Sequence, residues 1–337
     1  MVKIRDVAQR AGVGVSTVSR TLNESGYVDP GTRKRVLTAV EELGYRPNAV
    51  ARALRSRRTG TVGFIVPDLR NQFYAEGSAM LQASLEAAGY QLLVGVSRDD
   101  LFVESRCFAA FHDQRVDAVV SIPVGDTLPG GQGVPVIEMN RSTGNLQCDS
   151  VVSDEMVGLR QLTGELLAAG HRKIALVVGP ARWSTAANRT EGFKRAVDGV
   201  PGAVGEVFAG DFSPEWGREA AAVVLASGAT GVVVASSAIM EGFAAYCSYA
   251  GVSIPEDVSV VSVGDPPWFS FWQGGITTYA PDLGRIGDVT AKRVLVRLRE
   301  EASQHEPVHL VVDGRIIERG SVARPPSGHG LGRNRLR

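Results

Sequence analysis

The residues whose types and spacing could do chemistry begin at the amino-terminal end. Over 15–22, helical spacing turns Val18 and Leu22 inward and leaves Val15, Ser16, Thr17 and Arg20 outward. An outward arginine can donate two parallel hydrogen bonds to a guanine edge, a contact that discriminates by about 1–3 kcal/mol, and a valine can meet a thymine methyl. The segment before it, Ile4-Arg5-Asp6-Val7-Ala8-Gln9-Arg10-Ala11, repeats apolar residues at Ile4, Val7, Ala8 and Ala11, and Gly12-Val13-Gly14 joins the two. Two short amphipathic helices meeting at a glycine turn read as a helix-turn-helix, whose second helix fits the major groove of double-stranded DNA.

A second set of polar residues follows apolar runs further along. Runs at 62–66, 91–96, 118–122, 134–137, 173–178, 231–235 and 258–263 have strand length. Helical segments fall between and after them, at 73–88, 101–114, 154–169, 186–198, 214–227, 238–250 and 283–303. This alternation predicts parallel sheets with helices on both faces, in two units. Ligands of such sheets bind beyond the carboxyl ends of the strands. That rule selects Asp68, Asn140 with Arg141, Ser236 with Ser237, and Asp265. Asp68 reads equally well as a helix cap.

The elements that position the amino-terminal residues are also legible. Asp29 is a predicted N-cap with Pro30 at the first helical position, Val36, Leu37, Val40 and Leu43 form an inner stripe, and Gly44 ends the helix. Pro47 opens a short stretch rich in small residues and arginine, to Gly60. It is too short to be stable alone and is expected to order on DNA.

Charge separates these parts. The 337 residues balance 36 Lys+Arg against 36 Asp+Glu. Residues 1–58, however, hold 12 basic and 5 acidic residues, residues 59–318 hold 19 and 31, and residues 319–337 hold 5 and none. A basic head on an acidic body binds phosphate at one end. The chain enters an amphipathic helix directly and has no apolar run near the roughly 20 residues of a membrane span, so no signal peptide, no membrane partner and a cytoplasmic location are expected. The three cysteines are scattered and read as reduced. The five histidines show no metal-ligand or nucleophile spacing, and there is no Walker A loop and no G-x-S-x-G elbow. No catalytic residue, metal or cofactor is expected. The absence of a leader and the basic head also weigh against a secreted binding protein.

With these residues placed, the sequence resembles the lac repressor (LacI/GalR) family of bacterial transcription regulators. The blocks that carry the likeness are Val7-Ala8, Ala11-Gly12-Val13, Thr17-Val18-Ser19-Arg20, Leu22-Asn23 and Gly44-Tyr45-Arg46-Pro47-Asn48-Ala49-Val50-Ala51-Arg52 with Leu54. Looser matches follow at 62–68, 170–175, 179–180, 192–193, 255–261 and 277–278. The resemblance implies an all-α helix-turn-helix head over 1–46 and a hinge helix and linker over 47–60. It implies an α/β core of two doubly wound parallel-sheet subdomains over 61–324, and a disordered basic tail over 325–337. The first subdomain is expected at 61–152 plus 282–307 and the second at 153–281 plus 308–324.

It also implies roles. Arg5, Val15, Ser16, Thr17, Arg20, Asn48 and Ala51 would contact DNA, with Ser16 open to reading as a helix-start residue and Arg20 as a solvated arginine. Leu54 would wedge into the minor groove, at a cost of a few kcal/mol of unstacking, and reads alternatively as a hinge residue packing on its own domain. Around the cleft the family adds Phe73, Tyr74, Asp154, Trp183, Thr185, Arg189 and Phe212. Asp154 reads equally as an N-cap, Arg189 as an ion pair near Glu191, and Trp183 and Phe212 as cleft-edge closures. The implied partners are an operator, a second copy of the chain and a small-molecule effector, expected to be a sugar or sugar derivative that weakens operator binding. Four places depart from the family. Gly14 stands where a serine is common, Ser236-Ser237 replaces Asn-Asp, Gly264 replaces the first aspartate of a pair, and aromatics crowd 268–272.

Overall fold

The computed structural model describes residues 2–22, 25–45, 58–128, 133–144, 148–300 and 306–325. They fall into two units, 1–59 and 60–337. The first unit holds α1 (Ile4–Ala11), α2 (Val15–Leu22) and α3 (Pro30–Leu43). Gly12 and Gly44 end α1 and α3 in the left-handed region, where a Cβ is costly. Asp29 accepts a hydrogen bond from the Thr32 N–H at 2.9 Å and starts α3. Val7, Ala8, Ala11, Val18, Val36 and Ala39 form the buried core. Leu37, expected in the inner stripe of α3, is instead exposed, and Ala39 takes the inward position.

The second unit is built on two six-stranded sheets. The first contains β1 (Thr61–Val66), β2 (Gln91–Val96), β3 (Ala118–Ser121), β4 (Val136–Met139), β5 (Asp149–Ser153) and β11 (His309–Val312), in the order β11-β5-β4-β3-β1-β2, all parallel. The second contains β6 (Lys173–Val178), β7 (Val204–Ala209), β8 (Gly231–Val234), β9 (Ser259–Val263), β10 (Thr277–Pro281) and β12 (Gly314–Ile317), in the order β12-β10-β9-β8-β6-β7, with β12 antiparallel to β10. The helices are α4 (Gln72–Glu86), α5 (Leu101–Asp113), α6 (Glu155–Ala168), α7 (Ser184–Asp198), α8 (Pro214–Ser227), α9 (Ser237–Ala250) and α10 (Leu283–Arg297). Central strands β1, β6, β8 and β9 are buried almost end to end, which is why they read as continuous apolar runs.

Among the described residues the chain passes between the sheets after β5, after β10 and after β11. The last passage differs from the expected one. His309–Val312 pairs with β5 in the first sheet, so the crossing falls at Asp313 rather than at 307–308. The buried Asp149 carboxylate draws these parts together. It accepts the Val308 N–H at 2.7 Å and ion-pairs with Arg293 and Arg297 of α10 at 3.0 and 3.1 Å. The five short strands β5, β7, β10, β11 and β12 were not among the apolar runs, because each is brief or sits near a sheet edge and carries polar residues.

One buried histidine ties the end of the second subdomain down. His171 faces the Ala323 carbonyl through Nε2 and the Thr230 hydroxyl through Nδ1, both at 2.9 Å. A carbonyl only accepts, so Nε2 carries the hydrogen and Nδ1 accepts from Thr230. Burial pushes the His171 imidazole below its ordinary 6.5. The unfolded chain then binds a proton that the native chain refuses, so stability is intact above about pH 6.5 and falls as the pH drops below it. Thermal melts from pH 7.5 to 5.5 should show a smaller loss of Tm in His171→Gln than in the parent; equal losses would place the acid sensitivity elsewhere.

Candidate functional site

In the first unit α2 is held by Val18 and Thr21 against α1 and α3, and the Thr21 hydroxyl bonds the Thr17 carbonyl at 2.9 Å. That packing leaves Val15, Ser16 and Arg20 exposed and Thr17 half-buried, with Arg5 exposed on α1. Gly14 offers no side-chain oxygen; its carbonyl takes the Thr17 and Val18 N–H groups. Three acids of this unit are engaged locally. Asp6 accepts the Lys3 N–H, Asp29 caps α3 and Glu42 ion-pairs with Arg10 at 2.6 Å. Asn48, Ala51 and Leu54 lie outside the described residues.

In the second unit the carboxyl ends of the two sheets face one another, and one guanidinium stands between them. Arg141 is almost fully buried. It follows Asn140, whose φ of +65° lies in the left-handed region that asparagine tolerates. Its charge is met by Asp99 at 2.6 Å and the Tyr74 hydroxyl at 3.1 Å. Its flat face lies 3.7 Å from the centre of the Trp183 ring, a cation–π contact from the first subdomain to the second. Trp183 in turn stacks on Phe212, with centroids 5.4 Å apart and planes 5° from parallel. Two hydrogen bonds join the subdomains beside this stack. Trp183 Nε1 donates to the Val124 carbonyl at 2.9 Å, and the Ser142 N–H donates to Ser184 Oγ at 2.9 Å. The partners are themselves held. Buried Glu104, whose carboxyl burial pushes up, accepts the Val124 N–H at 3.2 Å, and Glu138 accepts the Ser142 hydroxyl at 2.8 Å.

Below the stack is a cavity of about 40 Å³ lined by Tyr74, Asn140, Thr185, Arg189, Phe212 and Ser236, among others. Arg189 is buried and forked onto Glu155, at 2.7 and 2.9 Å, with a third bond to the Ala235 carbonyl. Burial opposes its charge, yet Glu155 overrides this and leaves the Arg189 pKa raised. The helix-surface reading of Arg189 is thereby corrected: Glu191 pairs with Arg195 instead, at 2.7 Å. Burial also raises the Tyr74 phenol, which stays protonated.

Of the residues selected from the sequence, Phe73, Tyr74, Asn140, Thr185, Arg189, Phe212 and Ser236 line this cavity, as do Ser237 and Gly264, and Arg141 and Trp183 contact the lining residues Tyr74 and Phe212. Three others stand elsewhere. Asp68 turns back on Arg70, accepting its N–H at 2.9 Å and its guanidinium at 2.8 Å, and that bond holds the Asp68 carboxyl below its usual range. Asn71 does the capping, accepting the Phe73 N–H at 3.1 Å. Asp154 is the N-cap of α6, accepting the Val157 N–H. Asp265 ion-pairs with Arg319 at 2.8 Å and lines a neighbouring, larger chamber. Asp99 was missed although it follows the run 91–96 and satisfies the same strand-end rule. Glu155 gave no sequence signal beyond an acid in a first helical turn. Among the described residues there is no cluster that could hold a metal ion, and no helix is long and apolar enough to cross a membrane.

Comparison with known proteins bears on these two units. Residues 3–48 match "Bacterial regulatory proteins, lacI family", and residues 163–322 match "Periplasmic binding protein-like domain". A curated relative, the HTH-type transcriptional repressor PurR of Proteus mirabilis, is 28% identical, over 97% of this chain and 98% of its own. A solved structure described as a LacI-family transcription regulation repressor of Corynebacterium glutamicum is 30% identical, with TM-score 0.70, and covers 78% of this chain and 98% of its own. Two further structures carry sugars. The regulator CelR in complex with cellobiose is 28% identical with TM-score 0.70, over 96% of this chain and all of its own. The dual regulator Cra of Pseudomonas putida with fructose 1-phosphate is 26% identical with TM-score 0.70, over 77% of this chain and 98% of its own. These relatives are regulators rather than enzymes, and with a helical head and a two-sheet core in the same chain, the protein belongs to the lacI family of bacterial regulatory proteins.

Proposed function

We propose that the protein is a transcriptional repressor that grips a pseudopalindromic operator as a dimer, and that a small molecule between its two core subdomains controls that grip. The observation that carries the reading is the head. Its core fixes α2 with Val15, Ser16 and Arg20 free on one surface, in a segment where Asp6, Asp29 and Glu42 are engaged locally. Phosphate contacts would position the head and the α2 side chains would read base edges. Arg5, Thr17 and the hinge residues Asn48, Ala51 and Leu54 complete the proposed DNA set.

One helix-turn-helix reads half a site, so a two-fold pair is required for a palindrome. Surface suited to that pairing is present. The edge strand β2 exposes Leu93 and Val94, and Phe102 on α5 is 71% exposed. In the second subdomain Tyr249 and Phe271 are 92% and 73% exposed, near a groove of about 500 Å³ bordered by Trp268 and Trp272. Apolar edges of this kind are normally covered.

The proposed effector site comprises Phe73, Tyr74, Asn140, Arg141, Trp183, Thr185, Arg189, Phe212 and Ser236, with Asp265 in the adjoining chamber. By analogy with the two sugar-bound relatives, its ligand is a sugar or sugar derivative. Arg141, Trp183, Ser142 and Ser184 form a latch across the subdomains. A ligand entering the cleft must rearrange this latch. The resulting shift of one subdomain on the other would change how the hinge segments order on DNA, with a coupling of about 1–3 kcal/mol acting in both directions.

Fluorescence anisotropy on genomic fragments tests the head. Affinity for the preferred site should fall with salt at a log–log slope of about −0.9 per phosphate neutralised. Arg20→Ala should cost about 1–3 kcal/mol there and flatten sequence preference. A full-length protein that prefers no fragment over random duplex would overturn the reading. The latch is tested by hydrogen exchange. Trp183→Phe keeps a stacked ring but strands the Val124 carbonyl, costing closure about 1 kcal/mol. Amide exchange at Ser142 should accelerate several-fold; an unchanged rate would mean the stack does not hold the subdomains together.

A further inference from the structure

The inner cavity and the room for a ligand do not coincide. The cavity under the Trp183–Phe212 stack offers about 40 Å³, whereas ligand pockets span about 300–1,000 Å³. Beside it, sharing Phe73, Ser237 and Gly264, is a chamber of about 460 Å³. Its walls come from both subdomains and from two of the crossings, Pro281–Gly284 and Asp313–Arg315. A ligand there touches the segments about which the subdomains must turn.

Charge in the chamber is one-sided. Glu76, Asp265, Asp282 and Asp313 line it against Arg315 alone. Arg319 neutralises Asp265 at 2.8 Å. Glu76 meets only the neutral Gln72 amide, at 2.6 Å, and Asp282 caps the Arg285 N–H at 2.9 Å. Arg189, a buried cation lining the adjoining cavity, is already neutralised by both oxygens of Glu155. Helices α4, α9 and α10 begin at this wall, and helix starts attract anions. Their partial charges, however, are about half a unit each, and Asn71, Ser236 and Asp282 side chains already cap those ends. A second observation points to the ligand's polarity. Asn140 is 5% exposed, lines the inner cavity, and its Oδ1 has no hydrogen-bond partner. A buried acceptor left open calls for a ligand N–H or O–H.

We propose that this chamber, together with the adjoining cavity that Asn140 lines, takes an uncharged polyhydroxylated molecule or its amine-bearing form and rejects the phosphorylated or carboxylated form of the same molecule. The inference rests on the effector reading above and sharpens it. Relatives of similar distance carry a neutral disaccharide in one case and a sugar phosphate in another. The carboxylates of this chain choose between those chemistries.

The test is calorimetric titration of the full-length protein with matched sets: glucose, glucosamine and glucose 6-phosphate; fructose and fructose 1-phosphate; cellobiose and its carboxylated derivative. In a set that binds, the neutral or amine form should be at least about tenfold tighter than the anion, since each uncompensated carboxylate repels it. The carboxylates are solvent-facing, so raising ionic strength should shrink that gap. The double variant Glu76→Gln, Asp313→Asn should shrink it too, with an unchanged thermal melt certifying its fold. Asn140→Ala should weaken the neutral ligand without altering the charge preference. An anionic form that binds as tightly as its neutral parent overturns the charge rule and leaves the effector reading standing. Binding by no member of any set overturns both.

Discussion

The core turns on one buried guanidinium. Arg141 is placed between the sheets by a left-handed turn at Asn140, and a charge so deeply removed from water needs compensating partners. Asp99 supplies the counter-charge, Tyr74 a hydroxyl and Trp183 a π face. The first two come from the arginine's own subdomain and the third from the other. The π face over this charge is therefore present only when the two subdomains are in contact. Removing Asp99 would leave the buried guanidinium without its counter-charge. Trp183 is held independently by the Val124 carbonyl, which Glu104 positions from α5. Closure is thus distributed over several elements, each with a modest share.

That arrangement suits a switch. The two subdomains meet through side chains that can exchange partners, while each keeps its own dry core. Close helix contacts stiffen the second subdomain. A Cβ at Gly242 would run into the Pro214 carbonyl and one at Gly217 into the Ile239 carbonyl, so α8 and α9 cross with backbones touching. Asp149, with Arg293 and Arg297, does the corresponding work in the first by clamping α10 and β11 to β5. Rigid bodies joined by three crossings rotate more readily than they deform. A ligand at the crossings, as proposed, would act where a small displacement moves the most mass.

Much of this was legible in the chain. The period of Ile4, Val7, Ala8 and Ala11 predicted α1, and Asp29, Pro30 and Gly44 predicted the ends of α3. Buried parallel strands announced themselves as unbroken apolar runs. The strand-end rule found Asn140, Arg141, Ser236 and Ser237 and would have found Asp99. It failed at Asp68, where a local partner two residues away, Arg70, captured the carboxylate. The five missed strands escaped for a different reason. β5, β10, β11 and β12 have only four or five residues of mixed polarity, too few to show a period, and β7 is interrupted by Gly205 and Glu206.

The sequence alone determined the local features: two helices and a glycine turn with outward Val15, Ser16 and Arg20, the alternation of strand and helix, and the separation of a basic head from an acidic body. These depend on residues within one helical turn or one strand of each other. Tertiary structure decided what lies far apart in the chain. It put His309–Val312 in the first sheet and His171 against Ala323, and gave Arg189 to Glu155 rather than to Glu191. It laid Trp183 over Arg141 and left the free space among carboxylates brought from four separate segments. Such pairings follow from three-dimensional closure, and neither hydrophobic period nor residue type encodes which distant partner a buried charge will meet.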